Sequence, residues 1–115
     1  MSIERFGVGP RMSEAVAYGN LVFLSGEVAN DRSQGAADQT RQILASIDET
    51  LAKAGTDKTK ILKANIWLAE IKDFGAMNEV WDAWVPQGHT PARATVEAKL
   101  AAPDILVEIM VVAAR

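Results

Sequence analysis

The sequence predicts an α/β chain of the α+β type, in which two helices pack on one face of a mixed β-sheet. Three observations predict it. Two β-prone runs flank the dipeptide Gly19-Asn20, two longer segments have helical periodicity, and three further segments alternate like strands or are almost continuously apolar. This order of elements is typical of a sheet covered by helices on one side.

The first half of the chain predicts a hairpin followed by a long helix. Residues 15–18 and 21–25 are β-prone, and Gly19 can adopt the positive φ that a two-residue turn requires. From 36 to 54 the apolar residues recur at helical spacing, and Gly55 is placed to end the helix in a left-handed cap. The apolar positions of this helix are Ile43, Leu44, Ile47 and Leu51.

The second half predicts a strand, a second helix and two final strands. Residues 61–68 alternate, so the expected core face is Leu62, Ala64, Ile66 and Leu68. Asp73 can cap a helix whose apolar stripe is Phe74, Met77, Val80, Trp81 and Trp84. The last strands are expected at 93–99 and 105–113. The order is β-β-α-β-α-β-β, to which residues 3–8 could add one more strand.

Composition limits the classes of function. With 115 residues, 49% of them hydrophobic, the chain (1–115) is expected to be one domain whose remaining surface favours an oligomer. It has no cysteine, which excludes disulfides and thiolate chemistry. No signal peptide or membrane-length apolar run is present, so a cytoplasmic protein is expected. A net charge of -3 without a basic cluster argues against nucleic acid as partner.

Glu108 is the most informative residue, because its neighbours in 105–113 are all apolar. A carboxylate in such a place must be paired, hydrogen-bonded or kept neutral, which is how an acid or base is made. A purely structural ion pair would satisfy the same requirement. Arg93 lies on a second strand-like segment and could bind a carboxylate with two hydrogen bonds. Strand alternation alone, however, makes Arg93 a solvated residue.

Other polar and aromatic residues have simpler interpretations. Asn78 lies near the apolar stripe of the second helix, where an exposed helical asparagine is the commoner case. Trp81 and Trp84 are three residues apart, which indicates core packing more than a ligand site. His89 is the only histidine, so zinc would lack its usual ligands and no metal site is expected.

Six short segments form a recognisable pattern, in order and over nearly the whole chain. They are Ser-Glu-Ala-Val at 13–16, Leu-Val-Phe-Leu-Ser-Gly at 21–26, Gln-Thr-Arg-Gln at 39–42, Asp-Phe-Gly-Ala-Met-Asn-Glu-Val at 73–80, Pro-Ala-Arg-Ala-Thr-Val-Glu at 91–97 and Val-Glu-Ile at 107–109. In these segments the chain resembles the RidA/YjgF family of reactive-intermediate (imine) deaminases, and it is most similar to the YoaB-like branch of that family.

The resemblance implies a chorismate-mutase-like fold and a homotrimer with three active sites in the clefts between subunits. It implies that Arg93 binds the carboxylate of a 2-imino or 2-enamino acid, and that Glu108 positions the water that hydrolyses the C=N bond. The products would be a 2-oxo acid and ammonia, and no cofactor is required because an imine is already electrophilic. The family positions that line the same pocket correspond to Ser25, Gly26, Asn78, Ala94 and Thr95.

One departure from the family pattern concerns Met12, which stands where the better-known deaminases have an aromatic hydroxyl. A methionine can fill the same volume, but it cannot donate a hydrogen bond. Substrate choice is therefore open. Two alternatives remain beside catalysis: a trimer that binds small carboxylates without turning them over, as a metabolite sensor, and a ribonuclease or translation inhibitor directed at RNA.

Overall fold

A computed structural model describes residues 1–115 and contains one six-stranded sheet and two α-helices. The predicted α+β fold is confirmed, and residues 3–8 do form an additional strand. The strands are β1 (Ile3–Val8), β2 (Ser13–Tyr18), β3 (Leu21–Leu24), β4 (Ile61–Leu68), β5 (Ala92–Glu97) and β6 (Val107–Ala114); the helices are α1 (Ala36–Lys53) and α2 (Phe74–Trp84). The last two strands are thus shifted by one or two residues from the predicted bounds.

The sheet order is β1-β2-β3-β6-β4-β5. β6 lies between β3 and β4 and is antiparallel to both, although it follows every other strand in the chain. β4 and β5 are parallel, and α2 connects them. Such a parallel pair needs a crossover connection, and this crossover places α2 beside the edge strand β5.

The core lies between the helices and one face of the sheet, called here the helix face. Every second residue of β6 is buried on this face, and the predicted apolar positions of α1 are almost completely buried against it. The β6 residues are Val107, Ile109, Val111 and Ala113; the α1 residues are Ile43, Leu44, Ile47 and Leu51. The alternation that defines a half-buried strand therefore orients the whole sheet.

The helix and turn signals have mixed outcomes. Gly19 and Gly55 adopt the expected positive φ, at 60° and 82°. Asp73 does precede α2, but the prediction that it caps the helix is wrong, because its side chain makes no capping hydrogen bond. Its backbone angles, φ −84° and ψ 3°, are not the extended ones from which a capping side chain reaches the helix N–H groups.

Two predicted core residues are exposed. Leu62 keeps 50% of its surface exposed, because the β4–β6 register shifts between Ile61 and Lys63 and Ile61 enters the core instead. Phe74 is 41% exposed, although Trp81, seven residues further along α2, is only 5% exposed. The buried stripe of α2 therefore begins at Met77.

The other side of the sheet, called here the open face, carries uncovered apolar side chains. They are large, they come from four strands, and no helix of the chain lies over them: Tyr18, Leu21, Phe23, Val96 and Met110. An uncovered apolar surface of this kind typically marks a contact with another molecule. Neither helix has the length and apolar character needed to cross a membrane.

Candidate functional site

Glu108 lies half-buried on the open face of the central strand β6, directly opposite Trp67 of β4. Its neighbours Val107 and Ile109 point into the core on the helix face, so the strand alternation turns the Glu108 side chain away from the core. The carboxylate forms no ion pair within the chain. It is therefore available for another molecule.

A bulge in the neighbouring chain segment, at Ser25 and Gly26, brings Gly26 to Glu108. Phe23 pairs with Val112 and the next pair is Glu27 with Ile109, so three residues on one side face two on the other. In such a bulge two successive residues point to the same side of the sheet. The sequence places Ser25 and Gly26 there, and the structure brings Gly26 beside the Glu108 carboxylate, with Ser25 next to it in the chain.

Gly26 is required by the position of that carboxylate. A Cβ built on Gly26 would lie 2.2 Å from Oε2 of Glu108 and 3.1 Å from its Cδ. The backbone at Gly26 is not left-handed, so the glycine is needed for space and not for its φ. Its N–H makes no hydrogen bond within the chain. Ser25, Gly26 and Glu108 are called here the Glu108 half-site.

A second carboxyl group flanks the bulge. Glu27 exchanges two backbone hydrogen bonds with Ile109, which fixes the segment beside β6. Burial raises the pKa of the Glu27 carboxyl above its ordinary value of 4.5, and the nearby Glu14 carboxylate raises it further. Glu14 in turn lies 3.8 Å from the ammonium group of Lys53. Sequence periodicity gave no sign of Glu27, because it follows the bulge.

Arg93 lies on the helix face of β5, in register with the fully buried Ala64 of β4. Its guanidinium carbon is 5.3 Å from the ring centre of Trp81 and 5.9 Å from that of Phe74. Two aromatic faces thus hold the cation by cation–π attraction. It forms no ion pair within the chain. Arg93 is half-buried, so strand alternation alone, which indicates a solvated residue, does not describe its surroundings.

Two buried side-chain oxygen atoms, one on β5 and one on α2, have no hydrogen-bond partner. They are Oδ1 of Asn78 and Oγ1 of Thr95, and both are buried. Thr95 follows Arg93 by two residues on the same strand face, and Asn78 lies on α2 between the two aromatic rings. A buried unpaired polar atom costs about 1–3 kcal/mol, so each one calls for an explanation, such as a bound water or a role in a site. Arg93, Phe74, Trp81, Asn78 and Thr95 are called here the Arg93 half-site.

The two half-sites lie on opposite faces of the sheet. Arg93 is in register with Ala64 on the helix face, whereas Glu108 is in register with Trp67 on the open face. One chain therefore cannot bring its own guanidinium and carboxylate to one small ligand. The sequence prediction that they meet at a subunit boundary is compatible with this arrangement, whereas a site within one chain is excluded.

The other two predicted site residues, Ala94 and Met12, are exposed. Ala94 is exposed beside Arg93, and a cleft of ≈ 230 Å³ is lined by Lys63, Ala64 and residues 92–94. Met12 is 54% exposed and precedes β2, at the same end of that strand as the bulge. No three His, Asp or Glu side chains come close enough together to hold a metal ion.

The sequence analysis did not predict that Phe74 and Trp81 contact the Arg93 guanidinium. Phe74 and Trp81 are seven residues apart, which places them on one side of α2, and the crossover from β4 to β5 brings that helix to β5. The spacing was therefore a usable signal. Trp67 of β4 stands opposite Glu108 on the open face.

A family model described as endoribonuclease L-PSP matches residues 3–115. A RutC family protein, YoaB of Escherichia coli K12, is 45% identical over 114 residues, with 99% of each chain covered. The chain belongs to the RidA/YjgF family. Its similarity to a YoaB protein also confirms the branch that the sequence motifs indicated.

Two further relatives bear on the fold and on an activity found in this family. A crystal structure of a YjgF family member from Neisseria meningitidis has a TM-score of 0.95 and 50% identity, and the match covers 100% of this chain and 96% of that one. A rat protein named 2-iminobutanoate/2-iminopropanoate deaminase is 33% identical over 107 residues, which are 88% of this chain and 77% of its own. The RidA/YjgF family therefore includes an imine deaminase.

Proposed function

We propose that this RidA/YjgF protein hydrolyses 2-imino and 2-enamino acids to 2-oxo acids and ammonia. The observation that carries the proposal is the pair of half-sites, one with an unpaired guanidinium and one with an unpaired carboxylate. A carboxylate-bearing electrophile needs both groups, and the rat relative carries the name of this activity. The proposed setting is cytoplasmic, without a nucleic-acid partner.

The chemistry assigns one task to each charge. Arg93 binds the carboxylate of the substrate with charge-assisted hydrogen bonds and holds C2 in a fixed place. Glu108 accepts a hydrogen bond from a water molecule and takes its proton as the water oxygen attacks C2. The π electron pair of the C=N bond moves to the nitrogen, which receives the proton from Glu108. The C–N bond then breaks as the hydroxyl proton passes to the nitrogen, so ammonia leaves and the oxygen remains as the 2-oxo group. A 2-enamino acid first moves a proton from its nitrogen to C3 and reacts as the imine. The reaction consumes one water and requires no cofactor.

Each active site is proposed to join the Glu108 half-site of one subunit to the Arg93 half-site of its neighbour. The open face supports this arrangement, because Glu108 lies among uncovered apolar side chains that an adjacent subunit would bury. The homotrimer implied by the family resemblance supplies three such boundaries. A ring of identical contacts has the required geometry, since one surface meets a different surface on the next copy.

The first experiment measures 2-oxo acid formation from 2-iminopropanoate and 2-iminobutanoate generated in the cuvette by an amino-acid oxidase. The parent is expected to accelerate hydrolysis, and Arg93→Ala and Glu108→Gln are expected to lose that acceleration. Leu62→Ala is a matched control, since Leu62 is exposed and belongs to neither half-site. If the parent binds 2-oxobutanoate but accelerates nothing, the protein is a carboxylate-binding sensor and the catalytic proposal fails.

The second experiment tests whether two chains share a site. Arg93→Ala and Glu108→Gln subunits are unfolded together, refolded as a mixture and assayed. If each site takes one group from each of two chains, random mixing restores about a quarter of the sites, because each interface then has a one-in-four chance of receiving both intact groups. Each variant refolded alone is the control and should stay inactive. An inactive mixture of folded, mixed oligomers would contradict the shared site.

A further inference from the structure

The Arg93 half-site continues, through the exposed part of Phe74, into an apolar strip whose open surface the proposed chemistry does not use. The strip consists of Phe74 and Ile71, which are 41% and 50% exposed. They are three residues apart, across the short 3₁₀ turn that leads into α2, so their side chains lie on the same side. The side chain of Glu97 accepts a hydrogen bond from the Ile71 N–H at 2.9 Å, which ties this strip to β5.

Phe74 does more than hold the guanidinium. Trp81 is closer to Arg93 than Phe74 is and is almost completely buried, so it already covers one face of the cation. Phe74 also contacts Arg93 but leaves a large part of its ring open to solvent. A ligand whose carboxylate binds the free edge of the guanidinium therefore has an apolar surface beside it. Aromatic rings are the side chains that bind apolar groups most strongly.

We infer that Phe74 and Ile71 form a side-chain subsite, and that the preferred substrates are 2-imino acids with a large apolar or aromatic side chain. This inference rests on the proposed function. An isobutyl or benzyl group at C2 has more apolar surface to place against this strip than a methyl group has. A few carbon atoms placed in an apolar subsite change kcat/KM about tenfold or more.

The test compares kcat/KM for the imines of alanine, leucine and phenylalanine, each generated by an amino-acid oxidase. The parent is expected to favour the phenylalanine-derived imine over the alanine-derived one by about tenfold. Ile71→Ala, which lies outside both half-sites, is expected to lower this ratio while the alanine-derived rate changes little. Phe74→Ala also removes a ring that holds Arg93, so it is expected to lower all three rates and to bring their ratio close to one. Phe74→Leu keeps an apolar side chain without the ring and is expected to retain most of the preference. Leu62→Ala, an exposed apolar residue outside both half-sites, is expected to leave the ratio unchanged.

Three results would overturn the subsite. The first is a parent that prefers the alanine-derived imine. The second is an equal loss for all three imines in Phe74→Ala, which would mean that the ring only positions Arg93. The third is dissociation of Phe74→Ala oligomers in size-exclusion chromatography, which would mean that the ring is an interface residue. Failure to accelerate any imine is a different outcome, because it refutes the proposed function itself.

Discussion

Replacing Gly26 by alanine separates the geometry of the site from the stability of the fold. The new Cβ would lie 2.2 Å from Oε2 of Glu108, whereas atoms in contact stand about 3.5 Å apart. Because Oε2 is the end of a flexible side chain, the carboxylate rather than the backbone is expected to move, by about 1 Å or more. A displacement of that size at a reacting group costs roughly 100-fold in rate, or about 2.7 kcal/mol of activation free energy.

The fold should tolerate the same substitution. Forcing Glu108 away from its rotamer costs about 0.5–1.5 kcal/mol. The smaller conformational freedom of alanine in the unfolded chain offsets about 0.4–1 kcal/mol of this, since the φ of Gly26 is accessible to any residue. The free energy of unfolding should therefore change by less than about 1 kcal/mol. Urea denaturation measures it, and the imine assay measures kcat/KM in the same preparation.

The control is Gly35→Ala, because a Cβ at Gly35 meets no atom within 4 Å and the residue has φ −75°. This variant should keep the parent kcat/KM. Parent activity in Gly26→Ala would refute the role of Glu108, because its carboxylate cannot stay in place once the Cβ is present. A loss of several kcal/mol in unfolding free energy would instead show that the bulge, and not the side chain, gives way.

Three further predictions concern stability. Burial raises the pKa of Glu27, so ionising its carboxyl lowers the stability of the fold as the pH rises above the ordinary pKa of 4.5. Glu27→Gln should therefore raise Tm at pH 7 but not below pH 4.5, and an increase in Tm that does not depend on pH would contradict burial of the carboxyl as its cause. Thr95→Val removes a buried oxygen without a hydrogen-bond partner and should raise the free energy of unfolding, measured by urea denaturation, by about 1 kcal/mol. Calorimetry should show weaker binding of 2-oxobutanoate to this variant, and a lower free energy of unfolding would show that the hydroxyl has a partner. Ile66→Ala should cost about 2–5 kcal/mol and Leu62→Ala less than about 1 kcal/mol, and similar losses for the two would contradict the register shift in β4.

The helices and most strands could be predicted because their periodicity is local. Ile43 and Ile47 lie on one side of α1 whatever it packs against, and Gly55 ends the helix by its own φ. The prediction that Leu62 lies in the core was wrong for a non-local reason. The register shift depends on how β4 pairs with β6, and a run of alternating residues does not contain that information.

The candidate site was only partly predictable for a related reason. Glu108 could be singled out because a carboxylate among apolar residues is unusual in any strand. Alternation also gave the correct partners of Arg93 on its strand face, Thr95 among them, but it could not show that α2 covers that face. The separation of the two charges by the sheet follows from the register of β4 with both β5 and β6. Only the folded chain supplies that register.

The central position of β6 has a consequence for synthesis on the ribosome. When residues 1–100 have emerged, the nascent chain can form the β1–β3 meander and the β4–β5 unit, but β3 and β4 each present a bare edge until β6 arrives. Bare edges invite pairing with foreign strands, so this interval is when the polypeptide is most prone to misassembly and to chaperone capture. Because Glu108 lies on the strand that joins the two parts, the proposed catalytic carboxylate reaches its place only when the sheet is complete.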